Sequence, residues 1–154
     1  MNKKINNLKH IGEVFPKQPS ICNCMNIRRA SQAVTQFYDG VVKPSGLTIS
    51  QLGLLRHVEM LEQTTISELA KIIRIDRTTL NRNMKPLTEA GMITVSPGTD
   101  SRTRQVRVTD VGRSAVARGW ALWEEAQESL KQYLGDAELD KLVQLLSKLE
   151  ALSP

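Results

Sequence analysis

Residues 64–109 read TTISELAKIIRIDRTTLNRNMKPLTEAGMITVSPGTDSRTRQVRVT, and their pattern decides the fold. Thr65 followed three residues later by Glu68 is a capping box, in which hydroxyl and carboxylate each satisfy an orphan helix amide. Ile66, Leu69 and Ile73 then fall at i, i+3 and i+7, one apolar face of a short helix. Asp76 opens a second helix, its carboxylate meeting free amides and the positive helix end. Ile75 and Leu80 have the spacing of a hydrophobic staple across that start. Leu80, Met84 and Leu87 form the buried stripe, which leaves Arg77, Thr78, Asn81, Arg82 and Lys85 pointing outward. Two short helices joined by a tight turn, the second with a basic and amide-rich exposed face, make a helix-turn-helix.

The chain on either side supports this. Gly91 closes the second helix as a left-handed cap. Two alternating runs split by Pro97-Gly98 predict a two-stranded hairpin, whose tip from Gly98 to Arg104 is too charged for a core. A hairpin placed directly after a recognition helix is a wing. The expected fold class is therefore mainly α with a small β-wing: a winged helix-turn-helix with long dimerisation helices, built to bind DNA. Arg102, at the wing tip, is long enough to enter a minor groove. Arg104 lies close by, and Asp100 is expected to hold the loop by accepting from backbone amides.

Charge is placed accordingly. The net charge is +5 over 154 residues. Residues 71–107 alone hold eight Lys/Arg against three Asp/Glu, whereas residues 108–154 hold five against eight. Clustered positive charge on the segment that reads as helix-turn-helix and wing is what phosphate binding by counterion release requires. No apolar run is long enough to span a membrane. The basic start of the chain lacks a signal-peptide h-region, and two cysteines make no disulfide framework, so a cytoplasmic setting is expected. No cofactor or metal is called for.

Outward from the motif, residues 1–19 read as a flexible basic arm. Ser20 is placed to cap a long helix to about Val42, with Ile27, Ala30, Val34, Phe37 and Val41 as its apolar stripe. Thr48 with Gln51 is a second capping box, opening a helix to about Leu61 with Leu52, Leu55 and Val58 inward. Gly53 within it costs roughly 1 kcal/mol relative to alanine, which points to close packing there. Pro86 should bend the recognition helix near Arg82. Thr109 or Asp110 caps another long helix, with Val111, Ala115, Leu122, Ala126 and Leu130 along one side and Trp120 and Trp123 as packing residues. Gly135 ends it. Asp136 caps the last helix, lined by Leu139, Leu142, Val143, Leu146 and Leu149. Segments 20–47 and 110–154 are more apolar than a winged domain at 48–109 needs, so they are assigned to a helical dimer interface. Two-fold protein symmetry would match a pseudo-palindromic operator.

The order of elements resembles the MarR family of bacterial transcription regulators from Cys22 to the end. The residues that carry it are Leu69-Ala70, the run Asp76-Arg77-Thr78-Thr79-Leu80, Leu87 to Ile93, Asp100-Ser101-Arg102, and Val106 to Gly112. The resemblance implies a homodimer held by the first and last two helices. It implies recognition helices in major grooves, with Thr79 among the contact residues, and Arg102 in a minor groove. It also implies a regulator, usually a repressor, released by a small-molecule effector or by oxidation. In the peroxide-sensing branch a reactive cysteine near the start of the first helix matches Cys24. A tyrosine that helps position it matches Tyr38, while Ile49 stands where a second tyrosine would be.

Other readings of the cysteines are a small buried hydrophobe, or a metal site using His10 or His57. Residues i and i+2 do not share a helix face, which argues against a Cys22–Cys24 disulfide. Two other classes compete: an enzyme with Cys24 as nucleophile, and a winged helix used only for protein contacts. The first lacks an obvious base or any acyl, phosphate or nucleotide motif. The second would favour an apolar or acidic recognition face.

Overall fold

The computed structural model describes residues 9–154; the first eight residues of the basic arm lie outside them. The elements follow in the order α1 (Asn23–Val42), α2 (Ile49–Leu61), β1 (Thr64–Thr65), α3 (Ile66–Ile73), α4 (Arg77–Glu89), β2 (Ile93–Pro97), β3 (Arg104–Val108), α5 (Asp110–Leu134) and α6 (Asp136–Glu150), with a single 3-10 turn at Lys43–Ser45. The chain divides into two compact units. One is Met1–Ala33, described from residue 9 onward, together with Glu124–Pro154; the other is Val34–Trp123.

The unit Val34–Trp123 holds the hydrophobic core. Leu52, Leu55, Leu69, Leu80, Leu87, Ile93 and Val106 are fully buried in it, and truncating one such leucine to alanine would cost about 2–5 kcal/mol. Both expected capping boxes form. Thr48 accepts from the Gln51 amide at 3.2 Å while Gln51 accepts from the Thr48 amide at 3.0 Å. Asp39 of α1 adds a cap from outside the helix, accepting from the Ile49 amide at 2.7 Å. Gly91, at φ +70, ends α4 in a Schellman arrangement: its N–H donates to Thr88 and that of Met92 to Leu87. Trp120 stacks on Trp123 with centroids 4.3 Å apart, and the Arg56 guanidinium lies 4.7 Å over Trp120 while pairing with Glu59 at 2.8 Å. These tryptophans are packing residues.

Several expectations are corrected. The sheet has three strands, in the order β1-β3-β2, all antiparallel. The third strand is only Thr64–Thr65, too short for an alternation to reveal. The first helix begins at Asn23 and Ser20 does not cap it, because the Asn26 carboxamide clasps both the N–H and the C=O of Ser20 at 2.8 Å and holds it in a turn ahead of the helix. Gly53 has no neighbour within 4 Å of where a Cβ would stand. Close approach is instead made by Gly119, against Leu52, and by Gly112, against the Met92 carbonyl. Of the two candidate caps for α5, Thr109 is the one used, its Oγ1 accepting from the Gly112 amide at 3.1 Å. Val111, placed in the inward stripe of α5, is 56% exposed. Asp136 is the first residue of α6 and not its cap; that position is Gly135, at φ +86, with no side chain to serve.

In the other unit, Lys9 Nζ and His10 Nε2 meet the same oxygen of Glu125 at 2.9 and 2.7 Å. The hydrogen bond from His10, then that from Lys9, holds the Glu125 carboxyl below its usual range. Along α6, Leu142, Val143, Leu146 and Leu149 are all exposed in the single chain, and so are Ile27 and Val34 of α1.

Candidate nucleic-acid interface

The candidate interface is assembled from α3, α4 and the β2–β3 hairpin. Thr65 accepts from the Glu68 amide at 3.2 Å, and Glu68 returns the bond by accepting from the Thr65 amide at 3.0 Å. That backbone bond, followed by the Thr65 side chain, lowers the Glu68 pKa. α3 ends at Arg74, whose left-handed backbone at φ +60 turns the chain sharply. Asp76 then caps α4, accepting from the Thr79 amide at 2.9 Å and from the Thr79 hydroxyl at 2.7 Å. The hydroxyl first and the amide second hold the Asp76 carboxyl below its ordinary range.

With Leu80, Met84 and Leu87 buried on one side of α4, the opposite side is set by the helical period. Arg77, Thr78, Asn81, Arg82 and Lys85 are all exposed there. Thr79 differs from them. It is half-buried, and its hydroxyl is already donated to Asp76, so its part at this surface is to fix the start of the helix.

In the hairpin, Ile93 pairs with Val108 and Pro97 with Arg104, which leaves a six-residue tip. The Thr103 amide donates to the Asp100 carbonyl at 3.0 Å, and the Thr103 hydroxyl donates to the same oxygen at 2.9 Å. Asp100 Oδ1 accepts from the Arg102 amide at 3.1 Å, so the carboxylate ties down the residue that carries the guanidinium. A Cβ at Gly98 would lie 2.3 Å from Thr103 Oγ1, so a larger residue there would push that hydroxyl from its bond to the Asp100 carbonyl. Arg102 and Arg104 are both exposed. The sequence reading missed Arg107, whose guanidinium donates to the Gln63 side-chain oxygen. No local signal marked the pair, because 44 residues separate the two in the chain.

The cysteine candidates are placed differently. Cys22 and Cys24 are free and exposed in the single chain. Cys22 stands just ahead of α1, its amide bonded to Ser20 Oγ at 3.1 Å, so the argument from helix faces does not apply to it. Tyr38 is buried, and burial raises its pKa. His57 Nδ1 is engaged with the Gly53 carbonyl at 2.7 Å.

This is a winged helix-turn-helix. Residues 45–103 match the profile of the MarR family. Among solved structures, the transcriptional regulator MosR of M. tuberculosis, in complex with DNA, is 33% identical. The match has a TM-score of 0.74 and covers 86% of this chain and 99% of that one. The repressor CouR bound to a 23-mer DNA duplex is 23% identical, with a TM-score of 0.75, over 84% and 92% of the two chains. A mutant MarR of E. coli with operator DNA is also 23% identical, with a TM-score of 0.72, over 80% and 89%. The chain belongs to the MarR family of transcriptional regulators. Among the described residues no helix is long and apolar enough to cross a membrane.

Proposed function

We propose that this protein is a dimeric, sequence-specific DNA-binding transcriptional regulator, acting as a repressor in the cytoplasm. One observation carries the reading. α4 buries Leu80, Met84 and Leu87 and presents Arg77, Thr78, Asn81, Arg82 and Lys85 on its open side, while a pinned wing tip presents Arg102. Amide and guanidinium groups on one exposed helix face are the donors and acceptors that major-groove base edges pair with. The long, exposed Arg102 suits the negative potential of a narrow minor groove, with Arg104 behind it. MosR, CouR and MarR were each solved with DNA, which supports carrying the same partner over to this chain. DNA binding, with no catalytic constellation invoked, accounts for these residues.

Dimerisation is supported by the exposed apolar residues of α1 and α6. Four of them, Leu142, Val143, Leu146 and Leu149, recur on α6 at helical spacing, and a second copy would bury them. In this reading 48–109 is the reading head, and 20–47 with 110–154 hold the two copies on a pseudo-palindromic operator. Release by a small-molecule effector or by cysteine oxidation completes the account. Exposure of Cys24 in the single chain favours the oxidative route.

The test is to select duplexes from a random pool with the purified protein, then titrate the winners at several salt concentrations. Arg82→Ala and Lys85→Ala should each weaken binding, by about tenfold for a base contact and with a salt slope smaller by about one for a phosphate contact. Unchanged affinity in both variants would refute the assigned face. Sedimentation of a full-length monomer at micromolar concentration would refute the dimer.

A further inference from the structure

α1 and α2 meet at a corner, and Asp39 ties the two helices together from outside it. Its Oδ1 accepts from the Ile49 amide, ten residues on, at 2.7 Å. Val34–Val42 of α1 and the whole of α2 lie in the same compact unit. The start of α2 does not need Asp39 as its cap, because Thr48 and Gln51 already exchange both bonds of a capping box. The turn does not need it either. Gly46, at φ +82, donates to the Lys43 carbonyl at 2.9 Å. The buried Ser45 hydroxyl donates to the Val42 carbonyl at 2.6 Å and accepts from the Leu47 amide at 3.3 Å.

What the bond adds is direction. Val42 and Leu47 are buried on either side of the turn, but apolar contact is non-directional. Asp39 stands three residues, or about 4.5 Å, back from the end of α1. A second fixed point at that distance from the turn holds the helix axis against pivoting. The acceptor is a carboxylate at the positive end of α2, where such a bond is stronger than one between neutral groups.

We propose that Asp39 is a positioning residue that sets the spacing between the two reading heads of the dimer, and with it the half-site separation the protein accepts. This rests on the dimeric DNA-binding reading above, in which segment 20–47 holds the second copy and 48–109 reads the bases. Asp39 lies in the first segment and Ile49 in the second. Adding one base pair between half-sites moves the second by about 3.4 Å and turns it by about 35°. Heads held at a fixed angle reject that change, and heads free to pivot follow it.

Full-length wild type, Asp39→Ala, Asp39→Asn and Ile49→Pro would be titrated by fluorescence anisotropy against three kinds of duplex. These are the operator selected by the wild type, the same operator with one base pair added or removed between its halves, and a single half-site. In the wild type an altered spacing should cost at least as much as a mismatched base pair, about tenfold. Asp39→Ala should cut that penalty to about threefold or less. Ile49→Pro removes the same bond from its donor side and should do likewise. Proline suits the first position of a helix, and Thr48 before it is already extended at φ −83 and ψ +163. Asp39→Asn keeps an acceptor oxygen and should keep the wild-type profile. Binding to the single half-site should stay within about twofold throughout. A wild-type spacing profile in both Asp39→Ala and Ile49→Pro, with melting lowered or not, would make the bond a cap only. A loss on the single half-site equal to that on the operator would place the effect inside the reading head. Either result overturns the proposal. Were Asp39→Ala to misfold, Ile49→Pro decides alone. A wild type indifferent to spacing would instead remove the dimeric reading on which the proposal rests.

Discussion

Three glycines in helices offer a test of how the wing is joined to α5. At Gly112, in the first turn of α5, a Cβ would lie 2.2 Å from the Met92 carbonyl oxygen and 2.7 Å from Val108 Cγ2. The carbonyl belongs to the backbone at the base of the wing and cannot swing aside. It also accepts the Thr109 amide at 3.0 Å, while the Thr109 hydroxyl donates to the Gly91 carbonyl at 2.6 Å. Gly112→Ala therefore pushes on a point where the end of α4, the start of β2 and the cap of α5 are bonded together. Helix propensity favours alanine by about 1 kcal/mol. Overpacking costs about 1–3 kcal/mol, and displacing the carbonyl loses about 1 kcal/mol of hydrogen bond. The net expectation is a loss of about 1–3 kcal/mol, or a melting temperature lower by roughly 2–12 °C at about 2–4 °C per kcal/mol.

Gly53→Ala is the matched control. Nothing lies within 4 Å of its Cβ position, so the propensity gain stands unopposed and melting should rise by about 2–4 °C. Gly119→Ala falls between the two, since its Cβ would press on Leu52 Cδ1 at 2.7 Å, a side chain tip inside a full core. Circular dichroism melts at one fixed protein concentration would rank the three, fixed because dimerisation makes melting concentration-dependent. A Gly112→Ala protein as stable as wild type would refute the packing of this joint.

The Asp76 carboxyl is held below its ordinary value of 3.8 by Thr79. Its stabilising effect is therefore complete above that value and is lost as pH falls through the depressed one. The stability gap between wild type and Asp76→Asn, measured by urea titration, should shrink on acidification through that window, and a gap that held constant would mean the carboxylate is not engaged. At the wing, Asp100→Ala removes the acceptor for the Arg102 amide and should weaken operator binding about two- to fivefold in anisotropy titrations, although it makes the protein more positive. Tighter binding at physiological salt would show that the aspartate acts only as a repulsive charge.

What could be read from the sequence was what is decided locally. Capping boxes at Thr48 and Thr65, the Asp76 cap and the Gly91 stop each need only residues within one turn of each other, so their spacing in the chain is their spacing in space. The buried stripe of α4 was legible for the same reason, and its exposed face followed from it. Features fixed by contacts distant in sequence escaped. β1 exists because Thr64 and Thr65 pair with Val106 and Gln105, some forty residues away. Gly53 and Gly112 look alike in a string of letters; only the carbonyl of Met92, twenty residues from Gly112, tells them apart. Ser20 failed as a cap because an amide side chain six residues on had already taken its backbone. Arg74 was passed over because it stands between two helices, where the periodicity that sorts inward from outward residues is interrupted. Only a backbone angle reveals that the chain holds a cation where glycine would serve.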